Sequence, residues 1–243
     1  MPQGATCGSS KQTRRLYNMA AKKELVEIKP LEIKRIELTI VGTTPLIVHN
    51  FDEKARRQIL DAQQGKAVPK KNRPKKVPVN DFMRSMYWLT EQPEDGEGDE
   101  EAEANFRAAM DAGAKFGFRA DGIKASIISG AYRSGFTKDK VSVQGAFHLH
   151  GATDASTWEL AEIVGSDPVM REDMVRVGQG TADIRYRAQY DEWKIPLVME
   201  YNASGLYSLD QIFTFINAGG FMVGIGEWRV EKGGMNGSYR LDA

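Results

Sequence analysis

The stretch from Gly219 to Leu241, GGFMVGIGEWRVEKGGMNGSYRL, restricts the fold most, because seven glycines stand there beside a Glu-Trp-Arg cluster. Glycine loses more chain entropy on folding than any other residue, so this density implies left-handed turns or a backbone that something approaches closely. The segment follows an apolar helix candidate, Ser208 to Ala218, and ends in a strand-like run, Ser238 to Leu241. It therefore reads as a loop joining two core elements. Two readings of it stand open. In one it is a glycine-rich hairpin with a structural task. In the other it lets a polyanion or a partner subunit come close, with Arg229 and Lys232 supplying charge and Trp228 an aromatic face.

At 243 residues, 41% of them hydrophobic, the chain can bury a core as one elaborated domain over 31–243, with insertions near 65–103 and 151–180. Its 33 basic and 33 acidic side chains cancel, so any nucleic-acid binding has to come from local patches and not from a global field. The single cysteine, Cys7, cannot form an internal disulfide, which fits a reducing compartment and hence the cytoplasm, the bacterial host's if the chain is phage-encoded. No apolar run approaches the ~18 residues that a membrane span requires, so no membrane partner is expected. Residues 1–30 read as a leader expected to be disordered, since MAAKKELVEI from Met19 resembles a start and Met1 to Asn18 has no apolar core region of a secretory signal.

Along the chain, Ile36, Leu38 and Ile40 alternate as a first strand, 36 to 41, and the run GTTPLIVHNF ends at His49. Asp52 to Gln64 predicts a short helix stopped by Gly65. Next comes KAVPKKNRPKKVP, with six cations, three prolines and no acid. It is either a solvated loop or an arm in which Lys70, Lys71, Arg73, Lys75 and Lys76 contact phosphates. Val79 to Thr90 has helical spacing with Phe82, Met83 and Met86 inward. EQPEDGEGDEEAE, with eight acids, should be a mobile loop running up to a helix near Glu101.

Asp121 is placed to cap a helix, 121 to 133, whose buried face is Ile123, Ile127 and Ile128, with Lys124 and Arg133 elsewhere on it. Val141 to Leu149 alternates as a strand, which puts His148 and His150 on one side. Two histidines without a nearby Cys or acid triad make no metal site, and no metal or cofactor is expected. Trp158 to Val164 and Met174 to Val177 read as two short strands around the GSDP turn. In RVGQGTADIRYRAQY a strand would place Arg185 and Arg187 on one face over Ile184 and Tyr186, a basic row suited to backbone phosphates. A strand at 195 to 201, a helix at 209 to 218 capped by Ser208, and a strand at 221 to 225 complete the order. Two β-α-β halves result, which predicts a ferredoxin-like α+β sheet with helices on one face and long charged insertions.

The strand entering GTTPLIVHNF, the segment FRADGIKASIISGAYR and the late loop GGFMVGIGEWRVEKGGMNGSYRL resemble features of the RAMP superfamily, the ferredoxin-like RNA-binding proteins of CRISPR systems. Within it the resemblance is to the repeating backbone subunits of effector complexes and to phage relatives. It covers scattered short motifs from Ile36 to Leu241. It implies a palm that binds single-stranded RNA or DNA along its sheet, a thumb, and head-to-tail assembly into a homo-oligomer. The family's glycine-rich loop falls on Gly224, Gly226, Gly233, Gly234 and Gly237, and Lys124 becomes a further contact. The loop departs from a simple glycine-basic run, because Glu227 and Glu231 stand within it.

There is no GxxxxGK[ST], HExxH, CxxC, GxSxG or Rossmann fingerprint, so no catalytic constellation is expected. The leading reading is a non-catalytic single-stranded nucleic-acid-binding subunit. A phage structural or assembly subunit that binds identical neighbours is one alternative. A RAMP-type ribonuclease built on His49 or His148 is the other.

Overall fold

The computed structural model describes residues 30–50, 53–66, 75–177 and 181–242. In chain order come β1 (Ile33–Gly42), β2 (Leu46–Val48), α1 (Glu53–Gln63), α2 (Pro78–Arg84), β3 (Tyr87–Trp88), α3 (Asp99–Asp111), β4 (Phe116–Arg119) and α4 (Ala120–Arg133). Then follow α5 (Val141–Gln144), β5 (Phe147–Gly151), β6 (Leu160–Glu162), β7 (Val164–Gly165), β8 (Val169–Val177), β9 (Thr181–Tyr190), β10 (Trp193–Asn202), α6 (Leu209–Met222) and β11 (Tyr239–Leu241). The class is α+β, with six helices and antiparallel sheets among the described residues. Leu31–Ala243 groups as one compact unit.

The central sheet runs β11-β1-β10-β5, with β7 on the same edge of β10 as β5, and every pair in it is antiparallel. Its register sets Ile36, Leu38 and Ile40 opposite Met199, Leu197 and Ile195. Leu149 and Phe147 lie opposite Met199 and Tyr201 on the other edge of β10. Alternation of side chains across the pleat puts all of these on one face. There they join Ile123 and Ile127 of α4 and Ile212, Phe215 and Ile216 of α6 in one core. Truncating any of the fully buried isoleucines to alanine costs about 2–5 kcal/mol by the usual measure of core cavities. The opposite pleat leaves Arg35, Glu37, His148, Lys194 and Arg240 exposed. Two smaller antiparallel sheets, β2-β9-β8 and β3-β4-β6, complete the fold.

α4 and α6 meet backbone to backbone. A Cβ on Gly130 would fall on the backbone of Gly219, and one on Gly220 would fall on the Tyr239 carbonyl. The contact is fixed by hydrogen bonds, because the Tyr239 hydroxyl donates to Ser126 Oγ (3.1 Å), which donates to the Gly219 carbonyl (3.1 Å). Ser208 starts α6 with a reciprocal capping box, its hydroxyl accepting from the Gln211 N–H while the Gln211 side chain accepts from the Ser208 N–H.

Several expectations need correction. α6 continues to Met222, so 221 to 225 is no strand; the sheet is closed by β11, at the strand-like run near the C-terminus. Val141 to Gln144 is a helical turn ended at Gly145, and the strand starts only at Phe147, because the valine pair there also suits one turn that exposes Val141 and buries Val143. The helix from Val79 stops at Arg84, and Tyr87–Trp88 pairs with β4. Asp121 does not cap α4: Arg119 holds the cap position, and Asp121 forms an ion pair with it. The long hairpin is β8–β9, and Trp158 lies outside any strand. The acidic segment is held rather than loose: Asn80 donates to the Gly96 carbonyl (2.7 Å) and accepts from its N–H (3.0 Å), while Arg84 pairs with Asp95.

Candidate functional site

The chain from α6 to β11 forms one wall of a cleft of about 510 Å³. Four of its glycines, Gly224, Gly226, Gly233 and Gly237, have φ of 73, 77, 79 and 69°, and Trp228, at 51°, is the one non-glycine with positive φ among the described residues. Left-handed backbone at an aromatic residue is unfavourable and persists only where the surroundings fix it. Here the loop is stitched to the chain between β1 and β2 and to β2 itself. The Gly237 N–H donates to the Pro45 carbonyl (2.8 Å), Glu227 N–H to Ile47 (2.8 Å), and Ile225 N–H to Gly237 (2.9 Å). Side chains are excluded by this closeness: a Cβ on Gly226 would strike the Ile47 carbonyl, on Gly234 the Trp228 carbonyl, and on Gly237 the Ile225 carbonyl. These glycines admit the protein's own backbone. Gly233 has open space around it and needs glycine only for its dihedral.

Four distant segments supply the rest of the cleft. His49 comes from the exit of β2, Phe118 from β4, Ser126 and Ser129 from α4, and Lys140 and Gln144 from the turn around α5. Tyr87 and Phe118 add an aromatic wall, with ring centroids 6.3 Å apart in an edge-to-face arrangement. The loop contributes the backbone of Gly224 to Gly226 and the charged side chains Glu227, Arg229 and Glu231.

Those charges are mutually engaged. Arg229 donates from Nε (3.2 Å) and Nη2 (2.9 Å) to Glu231 Oε2, and Arg133 donates from Nη2 to Glu231 Oε1 (2.8 Å). Burial works against the Glu231 charge, but the hydrogen bonds from Arg229 and the charges of Arg229, Arg133 and Lys232 outweigh it and hold the carboxyl below its ordinary range. A second cluster ties the β8–β9 hairpin to the loop. Arg187 donates to Asp173 Oδ2 (2.9 Å), Arg171 to Asp173 Oδ1 (2.9 Å), and the Trp228 N–H to Asp173 Oδ2 (3.2 Å). Glu227 lies 3.6 Å from Arg187. Burial again opposes the Asp173 charge, and hydrogen bonds from Arg171, Arg187 and Trp228 overcome it, so its pKa is lowered.

The residues singled out from sequence are distributed unevenly. Lys70, Lys71 and Arg73 lie outside the described residues, as does the leader up to residue 29. Lys75 is exposed, and Lys76 pairs with Asp81 and Asp183 at 3.5 Å each, lies over the Tyr186 ring and donates to the Ile184 carbonyl. Lys124 is half-buried over the Phe147 ring, 5.5 Å from its centroid, and burial lowers its pKa. Arg185 and Arg187 do share a pleat, but the expected basic row fails. Arg187 points inward onto Asp173, and Arg185 keeps only a long 3.9 Å contact with Asp183. Arg229 is at the cleft and Arg133 at its edge, while Lys232 is exposed on the turn beyond. His148 is exposed, whereas His150 is buried with its ring 4.0 Å from that of Trp158. No group of three metal-ligating side chains exists among the described residues.

Lys140, Gln144 and Tyr87 carry no local sequence signal of a site, since only the tertiary fold brings them to the loop, whereas Phe118, Ser126 and Ser129 lie in FRADGIKASIISGAYR, one of the segments that carry the resemblance. The exposed cations of the central sheet, Arg35, Lys194 and Arg240, were likewise not singled out from sequence. They pair with no acid among the described residues, and Lys194 and Arg240 flank Val41 in the register. No protein-family model and no curated protein matches the chain. No helix among the described residues is long and apolar enough to cross a membrane.

Proposed function

We propose that the chain is a non-catalytic subunit that binds single-stranded RNA or DNA through the glycine-loop cleft and assembles head-to-tail with copies of itself, in the manner of a ferredoxin-like, RAMP-type palm. One observation carries the reading. The three segments on which the family resemblance rests, 42–51, 118–133 and 219–241, are far apart in sequence and all contribute to one cleft. Supporting it, the sheet order β11-β1-β10-β5 with α4 and α6 between the strands is the order of a β-α-β-β-α-β unit. The cleft offers what a single strand needs: cations for phosphates at Arg229, Lys140 and nearby Arg133, and aromatic side chains at Tyr87 and Phe118, such stacking being worth about 1–3 kcal/mol for each base.

Self-association is supported by the β8–β9 hairpin. From Thr181 to Arg187, β9 pairs among the described residues only with β8, and the cross-strand neighbours Met174 and Ile184 are both exposed there, an apolar pair on a two-stranded ribbon.

The test is fluorescence anisotropy of labelled oligouridylate and oligothymidylate over a salt series. The expected result is binding whose logarithm falls linearly with the logarithm of salt, by about 0.7 for each phosphate contact. Absence of binding at low salt, or binding indifferent to salt, sinks the proposal. Size-exclusion chromatography with and without the oligonucleotide then separates the readings, because assembly that needs no nucleic acid would favour the structural subunit.

A further inference from the structure

Two of the cations at the cleft and its edge are not bare. Glu231 stands between Arg133, in the last turn of α4, and Arg229 on the loop, with each of its oxygens taken by a different guanidinium. We propose that the Arg133–Arg229 pair is the seat for one phosphate of a bound strand, and that Glu231 fills it until the phosphate displaces the carboxylate. This rests on the cleft being the nucleic-acid site.

Three observations support it. The first is chemical mimicry: a phosphodiester carries one negative charge on two non-bridging oxygens, so it can accept from both guanidiniums as the carboxylate does. The second is access. Arg133 and Arg229 side chains remain 46% and 29% exposed, so an incoming anion reaches them without unfolding an element. The third is the ease with which Glu231 can leave. It belongs to a single 3-10 turn, Val230–Lys232, which contains no buried residue and is followed by Gly233, a left-handed position with open space around it. Rotation of the Glu231 side chain alone releases the carboxylate to water, while its backbone N–H stays bonded to the Val223 carbonyl (3.1 Å) and the stitches from Ile225, Glu227 and Gly237 stay made.

Exchange also balances charge. Two guanidiniums around one carboxylate leave one positive charge, and the same holds after a monoanionic phosphate replaces it. No charge is left buried without a partner, which is the costly outcome in such sites. Asp173 does not offer the same exchange, because Arg187, Arg171 and the Trp228 N–H enclose it within the fold.

The experiment compares wild type with Glu231→Gln and Arg133→Ala, using labelled oligouridylate and anisotropy across a salt series, with thermal melts confirming that each variant folds. Glu231→Gln should bind about five- to tenfold tighter at low salt, since an internal competitor has lost its charge. Its log–log salt slope should steepen by about 0.7, one phosphate contact no longer being offset by the expelled carboxylate. Arg133→Ala should bind more weakly with a slope shallower by about the same amount. If wild type binds and Glu231→Gln binds equally or less well, the placeholder role is overturned and the cleft reading survives. If Arg133→Ala leaves binding unchanged, the phosphate seat is overturned, even where Glu231→Gln fails to fold. If wild type itself does not bind at low salt, the cleft reading fails and takes this inference with it.

Discussion

Two arginine–carboxylate clusters flank Trp228, and they have opposite characters. On the hairpin side, Arg187 and Asp173 are 3% and 8% exposed and share their hydrogen bonds with Arg171 and the Trp228 N–H. On the cleft side, Arg229, Arg133 and Glu231 form a similar set of bonds in partial contact with water. Identical chemistry thus yields a rivet in one place and an exchangeable contact in the other. Burial decides which, because removing one partner of a buried pair strands a desolvated charge, while a half-exposed partner is resolvated by water.

The largest expected effect breaks the rivet. Asp173→Ala should destabilise the fold by about 3–5 kcal/mol in urea unfolding, because the buried Arg187 would lose its hydrogen-bonded carboxylate and keep only the longer 3.6 Å contact with Glu227. Glu231→Ala should cost less than about 1 kcal/mol in the same assay. Equal losses would erase the distinction between the clusters.

Acid provides the next test. Both carboxyls are held below their ordinary values of 3.8 for Asp173 and 4.5 for Glu231. The stability this contributes is complete above those values and is lost as pH falls through them toward the lower folded values. Asp173→Asn should therefore flatten the acid limb of the stability profile, and Glu231→Gln should flatten it much less. A greater effect from Glu231 would reverse the ranking. The indole gives a test of a single bond in the rivet: Trp228→Phe removes one hydrogen bond to Asp173 and should cost about 1 kcal/mol, read as a shift of the urea midpoint.

Much of the fold was legible in the sequence because strong periodicity sat on the elements that make the core. Ile36 to Ile40, Ile123 to Ile128, Ile195 to Tyr201 and the Ser208 cap all fell where the chain uses them. What misled was local ambiguity. Val141 to Gln144 alternates like a strand yet forms one helical turn that buries Val143, and Gly219 and Gly220 look like a loop yet lie inside α6, because they serve its contact with α4 and β11. The site was less legible than the fold. Arginines at 185 and 187 announce charge, but nothing near them reveals that Asp173, on the neighbouring strand, neutralises Arg187. Nor does any local pattern tie Lys140 or Tyr87 to a loop that begins after residue 222.

The central claim is that the cleft beneath the glycine loop receives a single strand. Ultraviolet cross-linking of a 4-thiouridine oligonucleotide, followed by mass spectrometry of the attached peptides, tests it most directly. Cross-links are expected on Tyr87, Phe118 and the segment 223–231. Cross-links confined to the exposed sheet residues or the hairpin, with none in those peptides, would contradict it.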